Sequence, residues 1–177
     1  MRPVLKTLFG LTAASVIALA STSSIGAQDA AKKQAPPKVN APAAAHVIMT
    51  PDKVQWGPAP PSLPPGVQAA LLDGDPGKAG LFVIRLKFPD GYRVPPHWHP
   101  TDEHVVVVAG TLMAAMGNKI DDAAMQALPT GSYVKMPRKM PHTVRAKGET
   151  IVQVTAMGPF EVTYVNPQDD PRKKTGH

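Results

Sequence analysis

Proline and glycine punctuate this chain too densely for long helices. Of its 177 residues, 21 are proline and 14 are glycine; the ordered stretches between them are short and must be joined by turns. An all-β domain is the expectation. The length suits one domain, and 43% hydrophobic residues can furnish one core without the apolar content of a membrane protein. The absence of cysteine excludes disulfide scaffolds, cysteine-ligated zinc, iron–sulfur clusters, thiol nucleophiles and cysteine-linked lipid anchors.

The chain divides unevenly. Residues 1–27 read as a signal peptide, with Arg2 and Lys6 as its basic start, an apolar run of 13 from Leu8 to Ala20, and Ile25-Gly26-Ala27 as a permissive cleavage site. That run falls short of the roughly 20 residues that span a bilayer. The expectation is therefore an exported protein, periplasmic or secreted, with no membrane attachment once the signal is removed. Residues 28–45, rich in Ala, Pro, Lys and Gln, read as a disordered linker, and 167–177 as a basic C-terminal tail of similar character. A folded unit is expected over 46–166.

This division changes the meaning of the charge. The formal +6 resides mostly outside the folded unit, which keeps 11 basic against 10 acidic residues. A nucleic-acid binder would carry a basic stripe on its folded surface. None is expected here.

Within the folded unit, 80–88 shows the clearest alternation, Phe82, Ile84, Leu86 and Phe88 facing one way and Arg85 and Lys87 the other. After the turn at Pro89-Asp90-Gly91, strands are expected over 92–98, 103–109 and, past a turn at Gly110, 111–116, forming an antiparallel meander. Asp121 to Leu128 reads as the one short helix, capped by Asp121. Further strands are expected over 132–136, 142–145, 150–157 and 161–165. About ten strands in so short a unit suggest a barrel or a two-sheet sandwich.

Four of the six histidines and a glutamate fall in two short windows. His97 and His99 are two apart, so on an extended segment both imidazoles leave on one face, about 6.6 Å apart along the chain, a span that two rings can close onto one ion. Pro95 and Pro96 stiffen the approach, and His99-Pro100-Thr101-Asp102 lets the chain bend so that Glu103 can re-enter facing inward. His142, behind Pro141, becomes a fourth ligand if its strand lines the same cavity.

The spacing as a whole resembles the cupin family. Its first motif, G-x5-H-x-H-x3-E-x6-G, is matched at Gly91, His97, His99, Glu103 and Gly110, and its second, G-x5-P-x-G-x2-H-x3-N, at Gly131, Pro137 and His142. The second motif departs at Lys139, where a glycine is usual, and at Ala146, where an asparagine is usual. If the glycine position needs positive φ, Lys139 carries about 1–2 kcal/mol of local strain. The resemblance implies a double-stranded β-helix (jelly-roll) barrel with one metal held by His97, His99, Glu103 and His142. Three imidazoles and a carboxylate without sulfur suit a divalent Mn, Fe, Zn, Ni or Cu, not Ca or Mg. Similar cupins include dioxygenases, oxalate-degrading enzymes, sugar isomerases and non-catalytic sensor modules, so fold alone does not choose. The expectation is an oxygenase or lyase acting on a small oxygen-rich molecule, with a non-catalytic metal or small-molecule binding module as the alternative.

No residue beyond the ligands receives a catalytic role. His104 should point away from Glu103 by strand alternation, and Trp98 away from the histidines beside it. His46 and His177 read as solvated. Tyr92, Met113 and Gln153 lie on strands that could border the cavity. Val105 to Val108 is apolar on both faces, so Val106 and Val108 need cover, from a second layer of the same chain or from a homodimer.

Overall fold

The computed structural model describes residues 46–173; the expected signal peptide (1–27), the expected linker (28–45) and residues 174–177 lie outside them. Nine strands make up the described domain: β1 (Gly57–Pro58), β2 (Gln68–Asp73), β3 (Gly80–Phe88), β4 (Arg93–Trp98), β5 (Glu103–Met116), β6 (Gln126–Pro129), β7 (Tyr133–Met136), β8 (His142–Gly158) and β9 (Thr163–Tyr164). The only helical pieces among the described residues are 3-10 turns of three residues each.

Two long strands organise the fold. β5 and β8 pair antiparallel along almost their whole lengths, from Glu103 opposite Ala156 to Met116 opposite His142. The first half of β5 also takes β7 and the second half β6, while the first half of β8 takes β4 and the second half β3. The ladder thus belongs to two sheets at once. One carries β2, β3 and β7, the other β4, β6 and β9, and their apolar faces close on a shared core that includes Phe82, Leu86, Val107 and Val154 from the first and Val94, Leu112, Ala146 and Tyr164 from the second. The result is an all-β jelly-roll barrel, as the sequence leads one to expect.

The interior corrects several local readings. Glu103 to Met116 is one strand, not two, because Gly110 makes a bulge in the ladder and does not end it. Its φ of 79° is left-handed, and a Cβ there would collide with the Glu149 carbonyl. The bulge also changes which residues point inward: Glu103, Val105 and Val107 are buried before it, Leu112 and Ala114 after it. Likewise 142–158 is a single strand passing through Gly148, pinned by the Thr150 hydroxyl, which donates to the carbonyls of Thr111 (3.0 Å) and Gly148 (3.1 Å). The expected meander is therefore wrong, since β3 and β4 pair with β8 and not with each other.

No helix forms over 121–128. Asp121 Oδ1 does accept from Ala123 N at 3.0 Å, but it caps a turn, and β6 follows because its pairing with β5 recruits the chain. The segment 167–173, expected to share the linker's character, is ordered: Asp170 is buried, and Arg172 binds its carboxylate and donates to the Val162 carbonyl at 2.9 Å. On the outer face, Lys87 lies 4.4 Å from the Trp56 ring centre and Arg85 donates to Gln153. Val108 is half-buried and Val106 remains 39% exposed within the single chain.

Candidate metal centre

The site begins with a bulge. β4 and β8 are in register at Val94 opposite Val144 and again at His97 opposite His142, which leaves one extra residue in the Pro95-Pro96 stretch. Proline cannot donate to a ladder and is at home at such a point. The extra residue switches parity, so Val94 faces inward before it and His97 and His99 after it. His142, directly across from His97, opens β8, and Glu103 opens β5 on the facing sheet.

All four side chains are buried. One ring nitrogen from each of His97, His99 and His142 lies within 4.8 Å of the others. Glu103 Oε2 stands 3.4 Å from His99 Nε2 and 3.5 Å from His142 Nε2. The three histidines singled out in the sequence thus group together, with Glu103 beside His99 and His142.

The opposite ring nitrogens explain the orientation. Nδ1 of His97 lies 2.7 Å from the Pro95 carbonyl, Nδ1 of His99 2.7 Å from the Glu161 carbonyl, and Nδ1 of His142 3.1 Å from the Met140 carbonyl. A carbonyl only accepts, so each Nδ1 carries a proton and donates, and Nε2 is the ring nitrogen left for a ligand. This is how backbone groups fix imidazoles that bind an ion. His99 Nε2 is buried without a hydrogen-bond partner. A buried polar atom left unpaired in this way is costly, and an ion would satisfy it. The donor set and the orphaned nitrogen fit a divalent transition ion.

Electrostatics agrees. Burial, with His142 and His99 close by, pushes the His97 imidazole down to about 3, so it is neutral and available as a ligand. Burial works against the Glu103 carboxylate, but the imidazoles of His142 and His99 facing it hold its pKa well below the usual carboxylate range.

A cavity of about 200 Å³ opens beside the cluster, walled by residues of both sheets, by the proline-rich strap at Pro60, Ser62 and Leu63, and by Phe160. Phe160 stacks on His99 at 4.2 Å between ring centres. The strap is held by two tyrosines: Tyr92 donates to the Pro64 carbonyl at 2.5 Å and Tyr164 to the Ser62 carbonyl at 2.7 Å. Burial raises both phenols, which therefore remain protonated donors.

Phe160 and the strap have no counterpart in the motif reading. The only signals for them are an aromatic after Gly158-Pro159 and a run of prolines. Tyr92, Met113 and Gln153 do not line this cavity. His104 points outward, as expected, with its Nδ1 2.7 Å from the Tyr133 hydroxyl.

Residues 44–161 match the family model of the ChrR cupin-like domain. The chain belongs to this family. Two solved structures share the cupin fold with it. The polyketide cyclase RemF from Streptomyces resistomycificus superposes with a TM-score of 0.60 at 17% identity, over 75% of this chain and 94% of its own. An acetylacetone dioxygenase candidate from Methylibium petroleiphilum PM1 gives 0.56 at 19% identity, over 72% and 86%. None of the curated proteins matches the chain in sequence.

Proposed function

We propose that this cupin is an exported, metal-dependent enzyme of the oxygenase or lyase type, which binds one divalent transition ion through His97, His99, Glu103 and His142 and brings a small molecule to it in the adjoining cavity. The grouping of three imidazole nitrogens on the wall of a cavity, with the Glu103 carboxylate beside two of them, carries this reading. When bound, such an ion supplies Lewis acidity or redox chemistry at positions the protein leaves open. The chain's own part is to orient the imidazoles through the Pro95, Glu161 and Met140 carbonyls, to keep the carboxylate ionised, and to wall the cavity with Phe160 and the strap. Structural similarity to a cyclase and to a dioxygenase candidate supports an enzyme. The basic start and apolar run of residues 1–27 support export.

One observation favours a second reading, a non-catalytic binding module. Apart from the four ligands, the residues lining the cavity include no acid or base, and Ser62 is the only other one with a polar side chain. Elemental analysis of the protein from metal-supplemented cells, followed by oxygen uptake and product analysis against a panel of small acids, phenols and ketones, separates the two. Stoichiometric metal with turnover supports the enzyme. Stoichiometric metal without turnover selects the binding module, and absence of metal overturns the metal-dependent enzyme.

A further inference from the structure

The cavity walls say more about the ligand than the metal-binding residues do. Beyond His97, His99, Glu103, His142 and Ser62, every lining residue is aliphatic, aromatic, methionine, proline or glycine. No arginine or lysine is among them. The basic residues adjoining lining residues in sequence are engaged elsewhere: Arg93 and Arg145 bind Asp122 at 2.6 and 3.2 Å, Lys78 binds Asp75 at 2.8 Å, Lys135 binds Asp102 at 2.7 Å, Arg85 donates to Gln153, and Lys87 covers Trp56.

Charge and hydrogen bonding then restrict what can enter. Ligands must be deprotonated to hold an ion, so one divalent ion with the Glu103 carboxylate leaves a net charge of about +1, which one negative charge on a ligand would neutralise. A dianion would bring a second, uncompensated charge into an apolar enclosure. A polyol would bury hydroxyls that find no partner, each costing about tenfold or more in affinity. Size restricts it further, since a comparable apolar cavity of about 150 Å³ holds one benzene, and this one measures about 200 Å³.

Resting on the metal reading above, we infer that the cavity selects a compact molecule about the size of one ring, bearing at most one negative charge. Its oxygen atoms lie on the single edge that faces His97, His99, Glu103 and His142, and the rest of its surface is apolar. The ligand is therefore not oxygen-rich throughout. Val144 on one sheet and Ile84 on the other form walls against its apolar side.

The test uses the full chain produced in cobalt(II)-supplemented cells. Tropolone, oxalate and xylose are titrated by calorimetry, with azide as a probe of the metal alone. Each affinity for the protein is divided by that ligand's affinity for aqueous cobalt(II), which removes simple chelating strength. Tropolone should then exceed oxalate by at least 30-fold, with no heat from millimolar xylose. Equal or tighter oxalate binding, or saturation by xylose, would overturn the inference while leaving the metal reading intact. Protein without stoichiometric cobalt would overturn the metal reading and the inference with it. Val144→Phe should weaken tropolone at least tenfold with cobalt content and azide binding unchanged, and unchanged tropolone binding would place the ligand outside the cavity. Should that variant lose its cobalt, Ile84→Phe on the facing sheet makes the same measurement.

Discussion

The backbone N–H of Lys139 donates to the carbonyl of His99 across 2.8 Å, tying the loop before β8 to the segment that bears a metal-site imidazole. A second tie runs beside it, from Arg138 N to Asp102 Oδ1 at 2.8 Å. Lys139 makes its bond from a left-handed backbone, φ 59°, and is the only non-glycine with positive φ among the described residues. This is the position at which the cupin motif has glycine, and the other three motif glycines, Gly91, Gly110 and Gly131, also have positive φ. Strain of about 1–2 kcal/mol is expected for a side chain there, against less than 1 kcal/mol of extra unfolded-state entropy for glycine. Lys139→Gly should therefore stabilise the domain by about 0.5–1 kcal/mol, read as a higher urea midpoint with unchanged slope. An equal or lower midpoint would show that Lys139 carries no strain.

Removing single donors tests the centre. In Glu103→Gln the shape remains but the negative charge is gone, and in His142→Ala one nitrogen is gone. Loss of groups that merely orient ligands costs about 10–100-fold in metal affinity; these two changes should cost at least as much, measured by competition with a chromophoric chelator on protein whose circular dichroism matches the parent. Parent-like affinity in both variants would place the ion elsewhere.

The strap offers a third measurement. Tyr164→Phe removes the donor to the Ser62 carbonyl and nothing else from the packed ring. A net loss of about 1 kcal/mol in stability is expected. Amide exchange over residues 62–67 should accelerate while the β5–β8 ladder stays protected. Uniform acceleration across the domain would mean that this bond holds the whole fold and not the strap.

How much of this was legible beforehand divides along physical lines. The grouping of His97 and His99 with His142 could be read because spacing places the first two on one face of a short extended segment and the second motif supplies the third. Strand connectivity could not, because Gly110 and Gly148 look like turns in sequence and act as bends within continuous strands. A glycine with positive φ serves either purpose, and only the partner strand decides. The same holds for Pro95-Pro96, where an added residue sets Val94 and His97 on one face against strict alternation. Asp121 shows the complementary limit: its side chain caps a turn as a helix start would, yet the chain beyond it joins β5. Phe160, the strap and the ordered Asp170–Arg172 pair depend on contacts distant in sequence, which local pattern does not record.

Acid should unfold the metal-free domain through His97. Its folded-state value is lowered to about 3 by burial and by the neighbouring imidazoles, whereas an unfolded chain titrates near 6.5. Below pH 6.5 the unfolded state therefore binds a proton that the folded state refuses, and stability falls as the pH drops from about 6.5 towards 3. Above pH 7 neither state is protonated and this contribution is flat. One such proton is worth about 1.4 kcal/mol per pH unit, so chelator-treated protein should lose about 2 kcal/mol between pH 7.5 and 5 in urea unfolding. Glu103, also lowered, would add to the loss only below about pH 4.5 and leaves the upper window to the histidine. His97→Gln should flatten the profile between pH 7.5 and 5, and a parent whose stability is level across that interval would show that His97 can be protonated in place.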